Sequence, residues 1–308
     1  MKQNRLLTVA IPTYNRQKQI QQQVRAILPQ LTDEVELMII DNHSPYDIKA
    51  LFSLEELSKM KIVVNAVNIG MSANYARCLE YPDTQWVWTL SDDDMVLPNA
   101  VNTVLNAVKE YPNAISICLN SLSDFETNKY TDFLAKMHSH VNYSMHFWMS
   151  VCVYNLSYLR SYLYCGFNEL TTMIAPFITV LKYLEIKGEG QCLMLCRQII
   201  KDTEKNTSWE KTDFLIRVSF VYDIFRNDRK KMLRTLFYGC TELNLCLLYE
   251  GLKQVHISPK NALYILRLIM FKYGIVNVIR FFPSLYFRIL ISLIFPKISR
   301  YVKLLTRK

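Results

Sequence analysis

The sequence predicts an α/β fold: a doubly wound, mostly parallel sheet with helices on both faces, followed by a helical, basic C-terminal extension. Three observations predict it. Short apolar and β-branched runs alternate with helical periodicities from Leu6 to Leu119, the pattern of βαβ units and not of hairpins. Polar turns follow the first four runs at matching positions, and in such a sheet those turns share the carboxyl rim where ligands bind. The charge is also segregated: residues 1–250 hold 25 basic against 27 acidic side chains, whereas 251–308 hold 11 Lys or Arg and no Asp or Glu.

Each element follows from local chemistry. Leu6–Ile11 is wholly apolar or β-branched and stops at Pro12, as an interior parallel strand does. Gln17–Leu28 places Ile20, Val24, Ile27 and Leu28 on one helical face. Val35–Ile40 is a second strand that exits through Asp41-Asn42-His43-Ser44-Pro45, and Ile48–Lys59 reads as a polar helix. Lys61–Val67 is a third strand ending at Asn68-Ile69-Gly70, and Ser72–Glu80 is a helix. Gln85–Leu90 is a fourth strand, Pro98–Tyr111 a helix opened by its proline, and Ala114–Leu119 a fifth strand. Phe147–Tyr154 is expected as an edge strand beside the rim and Gln191–Ile200 as a further strand. His138, His140 and His146 are expected on the surface, in or near the polar loop Lys136–Ser144.

The fourth strand leads through Ser91 into three carboxylates, Asp92, Asp93 and Asp94. Adjacent carboxylates repel, so a fold that gathers them at a strand end needs a counter-charge. A hard divalent cation with oxygen ligands, Mn²⁺ or Mg²⁺, answers that need and is often shared with substrate phosphates. An acidic turn capping the next helix is the alternative. No GxGxxG and no Walker A sequence is present, which excludes the usual dinucleotide fold and the P-loop enzymes.

Hydrophobic content of 51% with 20% charged residues supports a sizeable core and excludes disorder. The eight cysteines include no CxxC pair, so buried free thiols in a reducing cytoplasm are expected in preference to zinc. No signal-peptide pattern opens the sequence, and no stretch reaches the roughly 18 apolar residues of a membrane span. The expectation is a cytoplasmic protein.

Four segments, taken together, resemble the successive motifs of family 2 glycosyltransferases over about residues 5–120. They are Val9-Ala10-Ile11-Pro12-Thr13-Tyr14-Asn15-Arg16, Ile39-Ile40-Asp41-Asn42-His43-Ser44, Asn68-Ile69-Gly70 through Asn74, and Leu90-Ser91-Asp92-Asp93-Asp94 with Pro98. The resemblance implies a GT-A nucleotide-sugar-binding fold over residues 1–208, with 1–120 as the donor half and 121–208 as the acceptor half. It implies that Pro12, Thr13, Tyr14 and Asn15 line the base and ribose pocket, and it counts Arg16 in the same donor site. Asp41 would accept a hydrogen bond from the base, an Asx turn being its alternative. Asn68 and Asn74 would shape the pocket, a helix-surface residue being the alternative for Asn74. Ser91 and Asp92 belong to the donor site, and Asp92, Asp93 and Asp94 to a DXD-type metal site on the donor's diphosphate. Asp93 stands where the family's usual metal-binding Asp falls, and Ser91 where the first Asp of the pattern usually stands.

Beyond residue 120 the resemblance changes. Cys165-Gly166-Phe167-Asn168-Glu169 resembles the family's Gly-Phe-Asp-Glu segment, but the acidic pair that opens the following helix in many members is missing from Thr171–Phe177. Glu169 is the nearest acid and the candidate general base, with Asp124, Glu126 and Glu185 as further options. Transfer resting mainly on donor activation and positioning is the alternative. Lys201–Trp209 is a polar loop that would close over donor or acceptor, or simply lie on the surface.

From Trp209 the periodicity is helical, giving a second region over 209–308. Within 261–308, Lys and Arg punctuate Ile, Leu, Phe and Tyr, and Pro283 and Pro296 divide the stretch into short helices. Such helices suit an anionic membrane surface; a helical subdomain or a subunit contact is the alternative, and no nucleic-acid motif accompanies the charge. The sum is a metal-dependent transferase, implied to be inverting, peripheral on the inner face of the plasma membrane. It would move one sugar from a nucleotide diphosphate sugar, a UDP-sugar foremost, to a lipid-linked bacterial glycan such as capsule, O-antigen or lipooligosaccharide. The absent QxxRW motif points to one sugar per encounter. A non-catalytic nucleotide-sugar-binding scaffold is the second reading, and a sugar-phosphate nucleotidyltransferase, whose glycine-rich first loop is missing, the third.

Overall fold

The computed structural model describes residues 5–137, 143–201, 217 and 220–224 of the protein. The chain divides into two compact units, one comprising Met1–Asn206 and Phe237–Gly239, the other the remainder.

The first unit is built on one eight-stranded sheet. In chain order the strands are β1 (Leu7–Thr13), β2 (Val35–Asp41), β3 (Met60–Val64), β4 (Trp86–Thr89), β5 (Ser116–Cys118), β6 (Phe125–Lys129), β7 (Cys152–Asn155) and β8 (Glu189–Met194). The spatial order is β3-β2-β1-β4-β7-β5-β8-β6. β1 pairs in parallel with β2 and β4, β2 with β3, and β5 with β8. The helices are α1 (Gln17–Ile27), α2 (Leu54–Ser58), α3 (Met71–Glu80), α4 (Ala100–Glu110), α5 (Tyr130–Met137), α6 (Leu156–Leu159), α7 (Leu163–Asn168) and α8 (Ala175–Lys187). Leu7, Val9, Ala10, Ile11, Leu37 to Ile40 and Trp86 to Trp88 are all buried, because strands covered on both faces have no solvent side. In the second unit Val221–Ile224 is helical.

Several expectations are corrected. Phe147–Tyr154 is not an edge strand: β7 starts at Cys152 and runs antiparallel between β4 and β5, inside the sheet. The preceding residues form 3-10 turns, Tyr143–Phe147 and Met149–Val151. Gln191–Ile200 is not one strand, since β8 ends at Met194. The chain then bends so that Ile200 pairs antiparallel with Val96, just beyond the Asp run. Ile48–Lys59 is two pieces, a 3-10 turn at Ile48–Leu51 and α2, separated by a capping box in which Ser53 and Glu56 bond each other's backbone. Helix α4 begins at Ala100, past Pro98. Strand β6 and helices α5, α6 and α7 were not anticipated.

His146 is buried, not on the surface, stacked on Phe177 with ring centroids 4.9 Å apart; His138 and His140 lie outside the described residues. Of the described cysteines Cys196 is exposed and the other five are buried, all as free thiols. The polar loop 201–209 beyond Lys201, and the tail 261–308, also lie outside the described residues.

Candidate functional site

The carboxyl ends of β1, β2, β3 and β4 meet as the alternating pattern requires, and three groups of polar side chains converge there. The first surrounds the Asp run. Strand β1 ends at buried Thr13, whose hydroxyl donates to Asp92 Oδ2 at 2.7 Å. Asn15 then takes φ +53, a left-handed conformation that Asn tolerates, with its N–H donating to Ser44 Oγ at 2.8 Å. That turn sets Arg16 at the N-cap of α1, facing β4. Arg16 Nη1 donates to Asp92 Oδ1 at 2.8 Å and to Asp93 Oδ2 at 3.0 Å. Ser91 Oγ donates to Asp93 Oδ1 at 2.6 Å. The counter-charge that the Asp run needs is thus supplied in part from within the chain.

Electrostatics separates the three carboxylates. The Asp92 side chain is 5% exposed, and desolvation raises its pKa above the ordinary carboxylate value although Arg16 and Thr13 pull the other way. The Arg16 pKa is raised: burial lowers it, but the combined pull of Asp92 and Asp93 outweighs the burial. Asp93 is 34% exposed and is the member of the pair open to solvent. Asp94 turns away: its Oδ2 accepts from Trp148 Nε1 at 2.8 Å and from the Ser150 hydroxyl. Ser150 Oγ also accepts from the Ser91 N–H at 2.9 Å, and the Ser150 carbonyl accepts from Trp88 Nε1 at 2.7 Å. Fully buried Ser150 therefore holds the Asp loop against the end of β4.

The second group is an asparagine network in which Asn42, Asn65 and Asn74 are buried and Asn68 is exposed. Asn42 Nδ2 donates to Asn68 Oδ1 at 2.8 Å, while Asn42 Oδ1 accepts from Asn65 Nδ2 and the Ile69 N–H, both at 3.0 Å. Asn65 Nδ2 also donates to Asn74 Oδ1 at 2.8 Å, and Asn74 Nδ2 to the Ile40 carbonyl at 3.1 Å. Asn74 is buried, which removes the helix-surface alternative. Gly70, at φ +83, turns the chain from Asn68 into α3. The third group is Asp41 with Ser44: Asp41 Oδ1 accepts from Ser44 Oγ at 2.5 Å and Oδ2 from the Ser44 N–H at 3.1 Å. The Asx-type turn is therefore present, and Asp41 is buried in it. Pro12 is half-buried, and Tyr14 is 45% exposed at the rim.

Glu169 shares no hydrogen bond with these three groups. It ends α7, half-buried, and its carbonyl accepts from the Thr172 hydroxyl at 2.7 Å. No hydrogen bond joins it to Asp92, Asp93 or Asp94. Asn42, Asn65, Trp148 and Ser150 were not singled out from the sequence as site residues. Asn65 was hidden inside an expected strand, and Trp148 and Ser150 reach Asp94 across more than 50 residues with no local signal.

The donor set admits a divalent cation as a partial site. Among the described residues no three His, Cys, Asp or Glu side chains converge as a closed cage. A cation on the exposed carboxylate of Asp93 would complete its shell with water and substrate oxygens, the habit of Mg²⁺ and Mn²⁺.

A β3-β2-β1-β4 parallel core with an antiparallel strand beyond β4, and polar groups gathered on its carboxyl rim, defines a transferase-type α/β fold of the GT-A kind. Solved structures share it. Staphylococcus aureus TarS 1–349 superposes with a TM-score of 0.54 at 12% identity, over 89% of this chain and 91% of that one. The mannosyltransferase PcManGT of Pyrobaculum calidifontis, solved with GDP-Man and Mn²⁺, gives 0.50 at 15% identity, over 94% and 87%. At these identities the likeness is one of fold. The chain belongs to glycosyl transferase family 2, whose profile matches residues 8–164.

Among curated proteins, the GalNAc(5)-diNAcBac-PP-undecaprenol β-1,3-glucosyltransferase of Campylobacter jejuni is 26% identical over 117 residues, 37% of this chain and 38% of that protein. An uncharacterised Mycobacterium tuberculosis protein is 29% identical over 99 residues, 32% and 31% of the two chains. The match thus spans under two-fifths of either relative.

Proposed function

We propose that this protein is a metal-dependent glycosyltransferase that moves one sugar from a nucleotide diphosphate sugar to a hydroxyl of a lipid-linked bacterial glycan, with inversion. The observation that carries the reading is the rim itself. On that rim, residues distant in sequence bond one another: Arg16, after β1, meets the Asp92–Asp93 pair beyond β4, and Asn42, after β2, meets Asn68 beyond β3. Relatives support it: S. aureus TarS 1–349 has been solved with UDP-GlcNAc, at a TM-score of 0.53, and PcManGT with GDP-Man and Mn²⁺. The name of the C. jejuni relative describes an undecaprenol-linked acceptor.

In this reading Asp41 accepts from the base, Pro12 to Asn15 with Asn68 and Asn74 enclose the nucleoside, and Ser91 and Asp92 complete the donor site. Asp93, with Asp92 and Asp94 behind it, faces the diphosphate. A divalent cation held there would supply charge neutralisation for the departing nucleoside diphosphate. Glu169 takes the proton of the acceptor hydroxyl as its oxygen bonds to the anomeric carbon and the bond to phosphate breaks. The tail 261–308 holds the enzyme at the inner face of the plasma membrane, raising the local concentration of a lipid-linked acceptor.

A thermal-shift screen of UDP-, GDP-, CMP- and dTDP-sugars, with and without Mn²⁺, tests the reading on wild type and Asp93→Ala. One donor should raise the melting temperature in a metal-dependent way, and Asp93→Ala should lose the rise. No shift with any donor removes the reading. A shift without turnover on any glycan acceptor favours a nucleotide-sugar-binding scaffold, which the carboxylate-free stretch Thr171–Phe177 also motivates.

A further inference from the structure

We infer that Arg16 is a built-in counter-cation of the Asp92–Asp93 pair, which keeps Asp93 closed to a divalent cation until a donor diphosphate draws the guanidinium away. The inference rests on the glycosyltransferase reading and names how that same site is regulated.

Every oxygen of the pair has a donor from the protein. Asp92 Oδ1 and Asp93 Oδ2 share Arg16 Nη1, Asp92 Oδ2 takes the Thr13 hydroxyl, and Asp93 Oδ1 takes the Ser91 hydroxyl. The donors are not equivalent. A hydroxyl rotates and can turn a lone pair towards a cation, whereas a guanidinium has donors only and keeps its charge at any working pH. A divalent cation on Asp93 would stand beside a fixed positive charge, and like charges at a few ångströms repel strongly in a half-buried site. Arg16 must therefore leave for the cation to enter.

The local structure lets it leave. Arg16 occupies the N-cap of α1, where its carbonyl accepts the first helical bond from the Ile20 N–H, and its side chain is 29% exposed. Asp92, 5% exposed, stays anchored by Thr13, so the shared contact opens on the Asp93 side first. A diphosphate reverses the balance, because it offers the guanidinium a stronger bidentate partner and the cation several oxygens at once. Cation and donor then bind with positive coupling, and the coupling is reciprocal.

Mn²⁺ binding without nucleotide, followed by electron paramagnetic resonance, tests the inference on wild type, Arg16→Gln and Arg16→Lys. Removal of the charge in Arg16→Gln should tighten Mn²⁺ alone by about tenfold, while Arg16→Lys stays near wild type. The gain in Mn²⁺ affinity produced by UDP or GDP should shrink in Arg16→Gln. Unchanged or weaker Mn²⁺ binding in folded Arg16→Gln, including binding too weak to detect in both proteins, overturns the inference.

Should Arg16→Gln fail to fold, the wild type decides. The ¹⁵N guanidinium resonance of Arg16, assigned by its loss in Arg16→Lys, should be unmoved by Mg²⁺ alone and shifted by Mg²⁺ with UDP or GDP. A resonance unmoved while the nucleotide is bound overturns it. Failure of wild type to bind any nucleotide–metal pair removes the donor reading instead, and the Mn²⁺-alone comparison still decides the counter-cation.

Discussion

Glu169 is the one carboxylate between Asp132 and Glu185, so the proposed proton transfer has a single nearby candidate in that stretch. Glu169→Gln should lower kcat by roughly 10²–10⁴-fold with little change in donor KM, the signature of a lost general base. A kcat within a few-fold of wild type would leave the transfer to donor activation and positioning. His146 tests a different property of a single residue. Burial alone pushes its pKa down to about 4, so the folded protein holds it neutral. Its folded value lies below its unfolded value, so the unfolded chain binds the proton first. Stability is therefore full above about 6.5 and is lost as pH falls towards 4, by about 3 kcal/mol at the limit. His146→Phe should flatten that acid slope in denaturation curves taken from pH 7 to pH 4; an unchanged slope would refute the assignment.

Among elements, α7 packs closely on α8 at Gly166. A Cβ on Gly166 would stand 2.4 Å from Thr179 Oγ1 and 2.6 Å from the Ala175 carbonyl. The second is backbone and cannot rotate away, so the helices must separate. Gly166→Ala should cost about 1–3 kcal/mol, measured as a lowered denaturation midpoint at constant m-value. The strand β7 carries the other lesson at this scale. Its buried run Cys152–Asn155 was legible as a strand, but its place between β4 and β5 was not, because antiparallel insertion is decided by which ladders remain unfilled. Likewise Ser53 and Glu56 spelled a capping box that the apolar periodicity of 48–59 obscured.

At the scale of the whole molecule, the basic excess confined to 251–308 carries the membrane proposal. The attachment proposed is interfacial because Lys and Arg interrupt the apolar runs of 261–308. Liposome flotation of the full chain and of a chain lacking 261–308 tests it: the full chain should float with vesicles containing phosphatidylglycerol and the shortened one should not. Equal flotation would place the contact elsewhere, and equal loss from neutral and anionic vesicles would show that charge is not its cause.

The sequence by itself determined the βαβ alternation, the carboxyl rim and the motif residues Thr13, Arg16, Asp41, Asn68, Asn74 and Asp92 to Asp94. The alternation and the rim follow from periodicity and short-range polar spacing, which a chain carries locally, and the motif residues from the resemblance to the family. Only the tertiary structure decided what those residues touch. Arg16 meets Asp92 and Asp93 across more than 70 positions, and Ser150 and Trp148 hold Asp94 from more than 50 away. Such pairings are set by strand order and by the cost of burying a carboxylate without a partner, and neither is written in any single stretch of the chain.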